Sequence, residues 1–183
     1  MKVMLLPLGH VIEVLEAELT IADAHFEQVV ASDPIVKRLT TMPCIGPIAA
    51  SAFVAALDVA NRFERAGQVT SYLGHVPQEY SSGEKQRRGC VMRSAHPHVQ
   101  SLLVQAAWRV RRSTDPRTAA FRTWAQGVAH RRGTKVAMVA LARRLTRTLF
   151  AMWRDETDFE AERVRVGRSA DHSTTSATSA VAG

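Results

Sequence analysis

Ile12, Leu15, Leu19, Ala22, Phe26 and Val29 recur at spacings of 3, 4, 3, 4 and 3. An α-helix turns once in about 3.6 residues, so this rhythm puts all six on one stripe. The spacing predicts a single helix over residues 8–31, with Glu13, Glu16, Glu18, Asp23 and Glu27 on its other faces. A 3-4 alternation is also the heptad rule of coiled coils, here sustained for roughly three repeats. The stripe serves either of two ends. It packs the helix on its own domain, or it forms a dimer seam or a connector to something upstream.

Helical spacing continues through the chain, and no segment shows a convincing strand run, so the fold expected is all-α. Ser32-Asp33-Pro34 stops the first helix and starts another, because proline suits a first helical turn. In residues 39–57 a short helix meets the tight turn Pro43-Cys-Ile-Gly-Pro47, then a helix rich in small residues, Ala49 to Ala56. This resembles the helix-hairpin-helix element of many DNA-binding proteins. There, unpaired amides at a helix N-terminus face a phosphate, and Ile45 and Gly46 would hold it here. The same small residues would also allow close helix packing with no DNA bound.

A short helix with its approach is expected over 62–74, with Phe63, Val69, Tyr72 and Leu73 inward. Another runs from about His96 to Arg112 on Val99, Leu102, Leu103, Ala106, Ala107 and Val110. Asp115-Pro116 opens one that reaches about His130, and Arg131-Arg132-Gly133 reads as a turn. The last helix spans 134–154, with Val136, Ala140, Leu145, Leu149 and Trp153 among its apolar positions. The organisation read from this is an N-terminal helical connector, 1–35, then a helical domain, 36–154. An acidic, then Ser/Thr/Ala-rich, tail follows over 155–183 and is expected to be disordered.

The formal net charge is +7, and it is unevenly spread. Residues 1–40 hold three basic and six acidic side chains, whereas residues 107–154 hold twelve basic ones and a single acid, Asp115. Basic residues within a helical pattern make a surface, which favours a shaped nucleic-acid site over a simple tether. The two cysteines, Cys44 and Cys90, form neither a disulfide framework nor a useful ligand pair, and read as reduced thiols. No apolar run approaches a membrane span, and the first residues do not read as a signal peptide. A cytoplasmic protein with no membrane partner is expected.

Between Tyr72 and Leu103 the chain carries its densest chemistry. Gly74 suits the left-handed cap that ends a helix. A polar loop follows with adjacent hydroxyls, Ser81 and Ser82, then Gly83, then Lys85, Arg87, Arg88 and Arg93. A serine beside a glycine and a basic cluster can present a hydroxyl to a phosphate, and it can equally be an ordinary surface loop. His75 stands beside this stretch as a candidate general base without an evident orienting acid. His96 and His98 make a poor metal pair. Trp108, Trp124 and Trp153 sit at helical positions expected to be core.

Several pieces, taken in order, resemble the C-terminal transposase domain of the IS-one-ten/IS-one-one-six insertion-sequence family. They are Leu39-Thr-Thr-Met-Pro-Cys-Ile-Gly-Pro47, Phe63 to Gly74, Val76-Pro77, Tyr80-Ser-Ser-Gly-Glu-Lys-Gln-Arg-Arg-Gly89, Leu102 to Ala107, and Lys135 to Leu145. Together they cover residues from about 36 to 153. The resemblance implies a DEDD transposase, a group in which some members are guided by a bridge RNA. Such members pair an N-terminal RuvC-like domain, whose four carboxylates hold divalent metal, with a C-terminal domain that supplies a serine nucleophile. Ser82, directly before the glycine, matches that serine, and Ser81 is the runner-up. Lys85, Arg87, Arg88 and Arg93 would hold the strand.

This sequence departs from the family pattern at several points. It carries no RuvC-like stretch, since no acid precedes Glu13, and Asp58, Glu64, Glu79, Glu84 and Asp115 lack cluster spacing. A Lys-x-Gly-Asn-Arg stretch appears as Arg93-Ser-Ala-His-Pro97, a later basic residue as Gln100, and the first hairpin glycine as Cys44. The chain therefore reads as a truncated transposase with no cofactor of its own, Mg2+ being expected only in the missing RuvC-like domain. Its expected partners are DNA, a guide RNA, and either further copies of itself or a separate RuvC-like polypeptide. The alternative is a nucleic-acid-binding remnant without chemistry.

Overall fold

The computed structural model describes residues 2–75, 77–82, 85–91 and 96–164. Helices dominate it, as the periodicity predicts: α1 (Lys2–Ser32), α2 (Pro34–Thr40), α3 (Pro47–Leu57), α4 (Ala66–Tyr72), α5 (Pro97–Arg112), α6 (Ala119–Arg132) and α7 (Thr134–Arg154). Between α4 and α5 stand two strands, β1 (Pro77–Ser82) and β2 (Lys85–Val91), paired antiparallel. The polar stretch read as a loop is therefore a β-ladder. It has little of the apolar/polar alternation that marks a half-buried strand. None of the helices described is long and apolar enough to cross a membrane.

The core is built around α7. Ala137, Met138, Leu141, Ala142, Leu145, Leu149, Phe150, Met152 and Trp153 are all buried along it. A helix apolar over so wide an arc must be covered on several sides, and α2, α4, α5 and α6 all pack on it. α5 contributes Val99, Leu103, Ala106, Ala107 and Val110, and α3 contributes Ala50, Phe53 and Leu57. Rings knit the layers, with Phe53 at 6.3 Å from Trp153 and Phe63 edge-on to Phe150 at 6.5 Å. Of the tryptophans expected in the core, only Trp153 is fully buried, while Trp108 and Trp124 are half-buried. Val136, expected among the apolar positions of α7, is 49% exposed, and its neighbour Ala137 is buried in its place.

The capping signals behave as their chemistry requires. The Asp33 carboxylate accepts from the amides of Ile35 (2.7 Å) and Val36 (3.3 Å), with Pro34 in the first turn of α2. Arg131 and Arg132, expected in a turn, remain helical, and the break falls at Gly133 alone, whose φ of +83° favours glycine. Residues 155–164, assigned above to the tail, return across the domain. The Phe159 amide donates to the Thr41 hydroxyl at 2.9 Å, and its ring stacks on Phe121 at 6.2 Å. The remainder of the expected disordered tail lies outside the described residues.

α1 behaves differently from the other helices. Phe26 packs on the core and Val30 is buried. Further towards the N-terminus, Leu8, Ile12, Leu15 and Leu19 are 55–60% exposed along the heptad stripe. Val29, the last stripe position expected, is 57% exposed and its neighbour Val30 is buried in its place, so of the two uses left open, packing at home accounts for Phe26 and leaves most of the stripe uncovered.

Candidate nucleic-acid interface

The ladder sets the geometry around the serines. Its register pairs Ser82 with Lys85, Ser81 with Gln86, Tyr80 with Arg87 and Glu79 with Arg88, and an irregularity separates this run from the Pro77–Val91 pair. Opposed residues, and residues two apart, share a face of a sheet. Ser82, Lys85, Tyr80 and Arg87 therefore occupy one face by register, and Ser81, Gln86, Glu79 and Arg88 the other. Arg93, also expected to bind, lies outside the described residues.

The segments on either side of the ladder, Tyr72–His75 and His96–Gln100, are clamped together as a neck. α4 ends in a Schellman motif: the His75 amide bonds to the Thr70 carbonyl (2.8 Å), and the Gly74 amide to that of Ser71 (3.0 Å). Gly74 takes the left-handed conformation this needs, with φ +72°. From the far side, the Gln100 side-chain amide donates to the Gly74 carbonyl at 2.8 Å, and the His96 ring lies 4.8 Å from that of Tyr72. The sequence marks Gln100 only as a missing basic residue, whereas its role here is to pin the neck.

His75 sits inside this neck, 2% exposed. The Thr146 hydroxyl donates its one hydrogen to the Ala142 carbonyl at 2.9 Å, so at 3.3 Å it accepts from His75 Nδ1–H. The other ring nitrogen, Nε2, is then an unprotonated lone pair, buried without a hydrogen-bond partner among the described residues. Burial is the main cause that lowers the His75 pKa to about 4; the backbone of Gln100 opposes the shift and the charge of Arg143 adds to it. The ring is therefore neutral near pH 7, the form a base needs, though a weakly basic one. Thr146 could have been suspected from its position, a hydroxyl inside the apolar arc of α7.

The second element is the α2–α3 hairpin. Cys44 adopts φ +69°, a conformation that favours glycine, which explains why glycine is usual at this position. Ile45 is buried, and its amide is spent on the Met42 carbonyl at 3.2 Å. At the start of α3 the amides of Gly46, Ile48 and Ala49 meet no acceptor among the described residues. Gly46 has an ordinary φ of −91°, and a Cβ built on it would meet nothing within 4 Å. Neither backbone strain nor packing among the described residues demands glycine there.

The basic segment is only partly available. Arg117 is paired with Asp115 at 2.9 Å and Arg154 with Asp155 at 2.7 Å. Arg122 is a structural staple, donating to the carbonyls of Ser113 and Asp115 and to the Thr118 hydroxyl. No three His, Cys, Asp or Glu side chains come together as a metal site among the described residues, and His96 and His98 gain no such company. Among the described residues the carboxylates do not gather into the four-carboxylate metal centre that the resemblance implies elsewhere.

Residues 36–123 match the Transposase IS116/IS110/IS902 family. A probable family 20 transposase of Pseudomonas aeruginosa is 34% identical over 146 residues, 80% of this chain and 43% of that protein. The transposase for insertion sequence element IS1328 of Yersinia enterocolitica is 27% identical over 129 residues, 70% of this chain and 39% of its own length. The transposase for IS1111A of Coxiella burnetii is 26% identical over 116 residues, 63% of this chain and 32% of its own. The chain thus spans less than half the length of the curated relatives it matches.

Proposed function

The chain carries a transposase domain of the IS116/IS110/IS902 family, and from that premise we propose that it binds DNA and exchanges strands through Ser82. In this reading Ser82 Oγ attacks a DNA phosphorus. The bond to one strand's oxygen breaks, that strand leaves as a hydroxyl, and a phosphoserine ester remains. A hydroxyl of the incoming strand then attacks the ester and regenerates the serine. Two transesterifications conserve the bond energy, so no external energy source is required. Lys85 and Arg87 stabilise charge on the phosphate, with Arg88 and Arg93 holding the flanking strand. Mg2+ would help ionise the serine, and it would be held by carboxylates of a RuvC-like domain supplied by another polypeptide. The amides of Gly46, Ile48 and Ala49 take a second phosphate, making α2–α3 a helix-hairpin-helix element. A guide RNA and a second copy of the chain are further partners in this scheme.

The observation that carries the reading is the ladder register, which groups Ser82 with Lys85 and Arg87 while Ser81 shares its face with Glu79, Gln86 and Arg88. The test is to supply the chain with a RuvC-like polypeptide of its family, Mg2+ and insertion-element DNA, and to look for a denaturant-resistant protein–DNA adduct. The adduct is expected with wild type and with Ser81→Ala, and absent with Ser82→Ala. Loss in Ser81→Ala alone would transfer the role to Ser81. Salt-sensitive binding with no adduct in any variant would leave a non-catalytic nucleic-acid binder.

A further inference from the structure

Behind α7 lies an open cleft of about 770 Å³ that the scheme above does not use. One wall is α7 itself, with Arg143, Arg144 and Arg147; the other is the returning segment 155–164. We propose that this cleft binds a nucleotide unit of a nucleic-acid strand through its phosphodiester. The inference rests on the nucleic-acid reading above and adds a separate site to it.

Charge gives the first reason. Arg143 and Arg147 are exposed and stand one helical turn apart, so both face the cleft as like charges that repel. Among the described residues neither has a carboxylate within 4 Å. Acids do line the far wall, but Asp155 is taken by Arg154 and Glu160 by Arg163, each at 2.7 Å. Among the described residues of the lining, Asp158 is the acid left to face Arg143 and Arg147. An anion bridging Arg143 and Arg147 would remove their repulsion.

Shape and chemistry favour a phosphodiester. Arg144 is half-buried with its guanidinium 4.9 Å from the Trp124 ring centroid and 5.4 Å from that of Phe121. A stacked guanidinium is held in orientation, and its fork matches phosphate oxygens. Burial, with help from the charge of Arg147, pushes the Arg144 pKa below its usual value, the direction an incoming anion would reverse. The volume lies within the range of sites for ligand-sized groups and is more than a bare ion needs.

The test is fluorescence anisotropy of the full chain with labelled single-stranded DNA, duplex DNA and RNA over a range of salt. Arg143→Gln/Arg147→Gln is expected to weaken binding about tenfold at physiological salt. It should also flatten the slope of log K against log salt by about 1.4 to 1.8. Arg131→Gln/Arg132→Gln, at the far end of α6, should leave both within about twofold, and Asp158→Asn should tighten binding a few-fold. The strand type that loses most affinity identifies the source of the phosphate. Because the substituted side chains are exposed, an unchanged melting curve shows that the fold is kept. If wild type binds and the Arg143/Arg147 variant binds equally well, the cleft is not the site, although nucleic-acid binding stands. Equal losses in both double variants would reduce the effect to a general positive field and overturn the site. If wild type binds none of the three probes, the site falls together with the reading beneath it.

Discussion

At the scale of single residues, His75 and Gly46 make opposite kinds of statement. His75 is neutral in the fold with a pKa of about 4, against 6.5 for the free side chain. Between those values the unfolded chain binds a proton that the folded chain refuses. Stability is therefore complete above about pH 6.5 and falls as pH drops towards 4, by about 3 kcal/mol in all. Urea denaturation at pH 7.5 and 4.5 should show this loss, and His75→Gln should remove most of the difference. Gly46 strains nothing and crowds nothing. Gly46→Ala should leave the melting temperature within a degree or two, yet weaken DNA binding several-fold, because a methyl group stands where a phosphate must approach. Unchanged binding would remove the start of α3 from the interface. Cys44 pays for its left-handed backbone, and Cys44→Gly should recover up to about 1 kcal/mol in the same denaturation assay, less whatever its packing supplied.

At the scale of elements, α1 invites the simplest experiment. Leu15→Glu/Leu19→Glu replaces two exposed stripe positions and should not lower the thermal stability of a monomer, since among the described residues neither side chain packs on the domain. If a second copy covers the stripe, sedimentation should show wild type as a dimer and the variant as a monomer; a monomeric wild type would rule out that use. The helices were legible in the sequence because each must bury a face, and a buried face writes itself as spacing: Val99, Leu103, Ala106 and Val110 announce α5 directly. The ladder was not legible. Pairing Ser82 with Lys85 and Glu79 with Arg88 depends on backbone hydrogen bonds, which any polar sequence can supply. The serine and its basic neighbours were visible as a motif because they are close in sequence. The neck was not, since Gly74 meets Gln100 across 26 positions and His75 meets Thr146 across 71, and no local pattern encodes such contacts.

At the scale of the whole molecule, the returning segment ties distant parts together. Phe159 joins the α2–α3 turn through Thr41 and the α6 layer through Phe121. Phe159→Ala should cost about 2 kcal/mol, less than the roughly 3–5 of a fully buried phenylalanine, because the ring is only half covered. The other long-range feature is the joint at Asp33. It is the only residue between α1 and α2, its carboxylate caps α2, and its amide bonds back to the Val30 carbonyl at 3.2 Å. A one-residue joint fastened on both sides does not swivel freely. At 31 residues α1 is a rod about 46 Å long. Clamped at its root by Phe26 and Val30, such a rod is a lever arm, and a load carried along it is delivered where its root meets α2 and α3.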